Sequence, residues 1–213
     1  MHDVRSAPGP DPHRYRALAP RAPEGPIDLG GLLAGTGPIE LEIGFGHGLF
    51  LYERAAACPQ ARILGLEVKK KWATLVGERC AKRGLANVTA WSDDARLLLP
   101  RVPAESVARV FMHFPDPWWK RRHEKRRLTG DTLLDEIVRV LAVGGEFFMQ
   151  TDVPDRATLH LEALARHPNI ELAGDAGYIA ENPYRARSNR EVRAAEDGLP
   201  VYRTLAIKRA ANG

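Results

Sequence analysis

The sequence predicts an α/β fold: a mostly parallel sheet of seven strands with helices on both faces. Three observations carry that expectation. Between residues 39 and 207, short apolar runs alternate with segments of helical period, the signature of repeated βαβ units. Glycines punctuate the junctions at 44–48, 84 and 144–145, where a strand opens into a helix or a helix stops. The composition, 44% hydrophobic and 27% charged over 213 residues, is that of a soluble globular chain long enough to bury a sizeable core.

Taken in order, residues 1–26 hold six of the sixteen prolines with few large apolar side chains, and read as a flexible tail before a single domain at 27–213. A turn-rich passage through Gly30-Gly31 and Gly37-Pro38 leads to the first strand, 39–43. A helix at 48–57 closes at Cys58-Pro59, and a strand at 62–67 is followed by a helix at 70–82 that stops at Gly84. The third strand, 87–91, leads to a short helix after Asp94, and the fourth is 108–113. A helix at 131–141 is expected to stop at Gly144-Gly145, with a fifth strand at 146–150. A helix at 155–167 and a weaker sixth strand at 170–173 follow. The last strand, 202–207, alternates in a way that suits a sheet edge.

Two cysteines, Cys58 and Cys80, lie 22 residues apart with no metal-ligand spacing, so no structural metal is expected. No run of 18 apolar residues occurs and the N-terminus lacks the apolar segment of a signal peptide, which predicts a cytoplasmic protein without a membrane partner.

Chemistry concentrates at strand ends. Gly44, Gly46 and Gly48 follow Glu42 directly and let the backbone turn tightly and approach a ligand, although a plain structural turn reads the same way. Glu67 ends the second strand, 25 residues after Glu42, where an acid can accept two ribose hydroxyls. The glycines alternate as G-x-G-x-G, not G-x-G-x-x-G, which leans toward S-adenosylmethionine (SAM) over a dinucleotide, because its sulfonium brings no pyrophosphate to a helix N-terminus. Asp93-Asp94 supplies a third strand-end acid, suited to an adenine amino group or to capping a helix. Thr151-Asp152 closes the fifth strand and reads equally as a substrate acid or an N-cap.

The fourth strand runs into Phe114-Pro115-Asp116-Pro117-Trp118-Trp119, in which two prolines hold Asp116 on a stiff, non-helical loop. Residues 120–127 then place six Lys/Arg and one Glu together, a local charge of +5 against +4 for the whole chain. Such a run is often a solvated face. Beside two indoles it is also the combination that binds bases and phosphates. Methyl transfer from a sulfonium needs positioning and electrostatic help more than a strong base. Guanine N7 has a free lone pair, and a carboxylate can take paired hydrogen bonds from guanine N1–H and N2–H. Ser188-Asn189-Arg190-Glu191, flanked by arginines, reads by itself as a solvated loop.

On the stretch Phe114-Pro115-Asp116-Pro117-Trp118-Trp119-Lys120-Arg121-Arg122-His123-Glu124-Lys125-Arg126-Arg127 the chain resembles the bacterial-type tRNA (guanine-N7-)-methyltransferase family, over about residues 39–207. The resemblance implies a Rossmann-like SAM-dependent methyltransferase fold with an antiparallel last strand, and formation of 7-methylguanosine at position 46 of the tRNA variable loop. It places Glu42, Gly44, Gly46, Gly48, Glu67, Asp94 and Asp116 at SAM, with Asp116 also the catalytic candidate. It assigns Lys120, Arg121, Arg122, His123, Lys125, Arg126, Asp152, Ser188, Asn189, Arg190 and Glu191 to the tRNA. The family's late Thr-x-x-Glu is Ser188-x-x-Glu191 here, and Trp119 stands where members vary. No obligatory protein partner is implied, and a monomer or a homodimer is equally compatible.

Overall fold

A computed structural model describes residues 19–115 and 132–210. Its sheet has seven strands, β1 (Ile39–Ile43), β2 (Arg62–Leu66), β3 (Val88–Trp91), β4 (Val107–His113), β5 (Leu141–Thr151), β6 (Ile170–Leu172) and β7 (Tyr202–Lys208). They lie in the order β3-β2-β1-β4-β5-β7-β6. The first five are mutually parallel, and β7 is antiparallel to both β5 and β6. The chain winds outward from β1 to β3 and then returns to β4 on the other flank of β1, so a crevice opens at the carboxyl ends of β1 and β4.

The helices are α1 (Leu29–Leu32), α2 (Leu49–Ala57), α3 (Lys70–Lys82), α4 (Ala95–Leu98), α5 (Thr132–Val140), α6 (Pro154–Arg166) and α7 (Asn189–Glu196), with a 3-10 turn, Leu99–Arg101, after α4. They cover both faces, because strand residues alternate sides. Leu64 and Leu66 join Leu98, Ile137 and Leu164 in one core, whereas Ile63 joins Leu51, Tyr52 and Val76 in a second. A third, smaller cluster of Phe50, Phe111, Phe148 and Tyr184 is aromatic.

Two expectations change. The last strand is internal: β7 lies between β5 and the three-residue edge strand β6. Its alternation arises because Thr204, Ala206 and Lys208 are buried while their neighbours are half-buried, and a half-covered face produces that pattern with or without a strand alongside. The second change is at Gly144-Gly145. The helix already stops at Val140, and β5 starts at once with Val107 opposite Leu141 and Arg109 opposite Glu146. The glycines therefore form a bulge inside β5, with Gly144 at φ +77°. A helix stop and a bulge both call for positive φ, so the pair alone does not distinguish them.

Residues 20–27 run along the body. Pro20 accepts from the Ser92 amide at 2.6 Å, the Ala22 amide donates to Asp93 at 2.7 Å, and the Ile27 amide donates to Arg101 at 2.8 Å.

Candidate active site

The site is built at the end of β1. All five β1 residues are buried, including Glu40 and Glu42. Gly44 and Gly46 follow at φ +78° and +53°, and a Cβ on either would meet nothing within 4 Å. Their conformation needs glycine and the space above them is open, as a loop that receives a ligand requires. Gly48, at φ +79°, is different, since a Cβ there would strike Val76 at 2.8 Å. Glu67 bridges this loop to the start of α3, accepting from the Gly46 amide at 3.1 Å and from the Lys69 amide at 2.9 Å. Each oxygen keeps acceptor capacity for another donor.

Glu42 is the most exposed to physical cost. Its Oε1 lies 4.0 Å from His113 Nε2, and its buried Oε2 has no hydrogen-bond partner among the described residues. Burial, and then the neighbouring Glu67 carboxylate, pushes its carboxyl well above the usual range. Burial also pushes the His113 imidazole down to about 3, so His113 supplies no compensating charge at neutral pH. A buried acceptor with no partner, beside glycines over open space, fits the cationic amino-acid end of SAM, and Glu67 fits its ribose.

Asp94 caps α4, accepting from the Arg96 amide at 3.0 Å, and pairs with the Arg96 guanidinium. That pairing holds its carboxyl below the usual value. Asp93 is taken by Ala22, so the two neighbours have separate tasks. Asp152 accepts from Arg190 Nε at 2.8 Å and is not a cap, because the N-cap of α6 is Val153.

The segment 188–191 is the start of α7. Ser188 Oγ caps the helix by accepting from the Glu191 amide at 3.2 Å. Asn189 Oδ1 accepts from the Leu49 amide at 3.4 Å, which joins α7 to the helix that follows the glycine loop. Arg190 reaches Asp152, and Glu191 turns inward, accepting from Gln150 at 2.9 Å, Arg203 at 3.1 Å and Asn182 at 3.2 Å. The segment reads as a loop in sequence because among the residues of α7 only Glu191 and Ala194 are buried, which leaves no apolar stripe to mark a helix.

Asp116, Lys120, Arg121, Arg122, His123, Lys125 and Arg126 lie outside the described residues, as do Trp118 and Trp119. The approach to them is fixed: Phe114 has φ +48°, a strained conformation for an aromatic residue, and its amide donates to Gln150 O at 2.7 Å. Arg156 also donates to Pro115 O at 3.3 Å. Sequence reasoning missed His113 and Gln150. Their signal is present, since each is a polar residue ending an otherwise apolar strand run, Val110-Phe111-Met112 and Phe147-Phe148-Met149. Among the described residues, no group of three or more His, Cys, Asp or Glu could hold a metal, and no helix is long and apolar enough to cross a membrane.

Known proteins extend this geometry. The family described as "Putative methyltransferase" matches residues 36–204. A tRNA (guanine-N(7)-)-methyltransferase of Myxococcus xanthus is 37% identical over 88% of this chain and 91% of its own length. One from Anaeromyxobacter dehalogenans is 39% identical over 81% and 86%. Among solved structures, a SAM-dependent O-methyltransferase of Thermotoga maritima superposes with a TM-score of 0.55 at 19% identity, over 95% of this chain and 67% of that one. The last of these speaks to the fold, which is that of the Rossmann-like methyltransferases.

Proposed function

We propose that this chain, which belongs to the tRNA (guanine-N7-)-methyltransferase family, methylates N7 of the guanosine at position 46 in the tRNA variable loop, with SAM as methyl donor. The observation that carries the reading is Glu42, a buried carboxylate with one oxygen that has no partner among the described residues, set beside an open glycine loop. SAM supplies an electrophilic methyl on a sulfonium. Glu42 would hold its ammonium group, Glu67 its ribose hydroxyls and Asp94 its adenine amino group.

SAM would give its methyl to the N7 lone pair, the sulfur–carbon bond breaking as the nitrogen–carbon bond forms, and the positive charge would pass to the purine. No proton leaves N7, so no general base is required. Asp116, which follows the fixed Phe114-Pro115 turn, would pair with guanine N1–H and N2–H and offset the charge that develops on the ring. Lys120, Arg121, Arg122, His123, Lys125 and Arg126 would hold RNA phosphates, with Asp152, Asn189 and Arg190 at the rim of the crevice. The working protein is read as cytoplasmic, with 27–213 the catalytic domain and the preceding residues from Pro20 on held against it by the Ser92 and Asp93 contacts.

The test is methyl transfer to an unmodified tRNA transcript, with the modified nucleoside mapped. Label at N7 of G46 in wild-type transcript, and none in a transcript carrying A46, is the expected result. Label at another base, or on a small acceptor only, overturns the assignment.

A further inference from the structure

Beneath the cofactor crevice lies a connected row of buried polar side chains. Glu42, His113, Gln150 and Arg203 each carry one buried polar atom without a hydrogen-bond partner among the described residues: Oε2, Nε2, Oε1 and Nε. They are neighbours by register, since His113 stands opposite Gln150 across β4 and β5, and Gln150 opposite Arg203 across β5 and β7. Glu191 of α7 joins the row by accepting from both Gln150 and Arg203.

The row has a direction. The Glu191 carboxylate, already receiving Arg203 and Asn182, is an acceptor, so Gln150 must turn its NH2 and not its carbonyl toward it. The same Gln150 Nε2 lies 3.1 Å from His113 Nδ1, which makes Nδ1 the acceptor of the second amide proton. The ring is neutral, held in an aromatic box by Phe50 at 4.3 Å, Phe148 at 5.9 Å and Phe111 at 6.2 Å between centroids. Its one proton is therefore on Nε2, the atom facing Glu42 Oε1 at 4.0 Å.

We propose that His113 is a positioning residue for Glu42: through Gln150, Glu191 dictates which ring nitrogen of His113 bears the proton, and the resulting Nε2–H steadies the carboxylate that meets the cofactor. The assignment rests on the reading that Glu42 holds SAM. Its consequence is that Glu191, at the substrate-side helix, sets cofactor affinity in the absence of any tRNA.

The experiment titrates the full chain with S-adenosylhomocysteine, without tRNA, by calorimetry, and reads the His113 tautomer by nitrogen NMR. His113→Phe keeps the aromatic packing and removes the N–H; Glu191→Gln removes the charge that orients Gln150. Both should weaken binding by about two- to fivefold, below the range of a full net hydrogen bond, because at 4.0 Å the Nε2–H acts on the Glu42 carboxylate as a dipole and not as a bonded donor. The wild-type ring should show the Nε2–H tautomer, and Glu191→Gln a mixture. An Nδ1–H tautomer in the wild type overturns the proposal without recourse to any variant, as does unchanged affinity in both variants. A wild-type protein that fails to bind the ligand at all removes the cofactor reading itself.

Discussion

Glu40 and Glu42 stand two residues apart on β1, on the same face and equally buried, and they are treated in opposite ways. Glu40 receives Arg54 through Nε at 2.7 Å and Nη2 at 2.6 Å, and Arg109 at 3.1 Å. Those arginines are satisfied in turn by Tyr184 O at 3.0 Å and by Glu146 at 2.7 Å. Among the described residues Glu42 pairs with no Lys or Arg, its one ion-pair contact is the uncharged His113 at 4.0 Å, and one of its oxygens has no hydrogen-bond partner. A chain able to place two guanidiniums around one buried carboxylate leaves its neighbour unmatched. The first arrangement belongs to the fold and the second to a ligand, because an unpaired buried carboxylate lowers stability until something cationic arrives.

The largest effect should come from breaking the matched carboxylate. Glu40→Gln leaves Arg54 buried without its bidentate partner, and about 3–5 kcal/mol of stability should be lost in a denaturant titration. Affinity for S-adenosylhomocysteine should change little under conditions where the variant is folded. A loss below about 1 kcal/mol would place Glu40 with the dispensable surface pairs and dissolve the contrast.

Glu42→Gln should do the reverse, abolishing cofactor binding while leaving the ligand-free protein as stable or more so at neutral pH. The sign follows from the raised carboxyl of Glu42: the folded state binds that proton more tightly than the unfolded chain does. Its contribution to stability is therefore full below the unfolded value of 4.5 and is lost as pH rises through the folded one. The gap between variant and wild type should widen in the variant's favour across that window. Unfolding curves measured without ligand from pH 4 to 8 check this, and a variant less stable at every pH would mean that Glu42 is structural after all.

How much of this contrast was legible beforehand depends on how far apart its parts lie in the chain. The strands, the glycine loop and Glu67 follow from local period and from acids at strand ends, and the helix at Lys70–Lys82 lies where the periodicity puts it. The difference between Glu40 and Glu42 does not, since both sit in the same alternating run. It depends on Arg54 and Arg109, brought in by α2 and β4, and on a His113 that meets Gln150 across 37 residues. Sheet order has the same character: the alternation of β7 reports a half-covered face and says nothing about which strands flank it. The capping role of Ser188 was hidden because α7 carries charge where a helix normally shows its apolar stripe. Asp116 and the basic run were the clearest motif in the sequence, and they fall outside the described residues.

The smallest expected effect tests whether the two carboxylates are separately wired. Ser188→Ala removes the side-chain cap of α7 and should cost about 1 kcal/mol, the ordinary value of an N-cap. Fraying of the first turn would loosen Glu191, which sits in that turn, and with it the Gln150–His113 arm that faces Glu42. Among the described residues Glu40, Arg54 and Arg109 make no direct hydrogen bond to α7, and reach it only at one remove, through Tyr184 and Asn182 and through the Leu49 end of α2, so protection at Glu40 should stand. Amide hydrogen exchange separates the two: faster exchange at Asn189, Arg190 and Glu191, with unchanged rates along β1 at Glu40 and Leu41, is the expected pattern. Uniform acceleration of both regions would show that α7 stabilises the whole sheet, and that the wiring of Glu42 is not separate from that of Glu40.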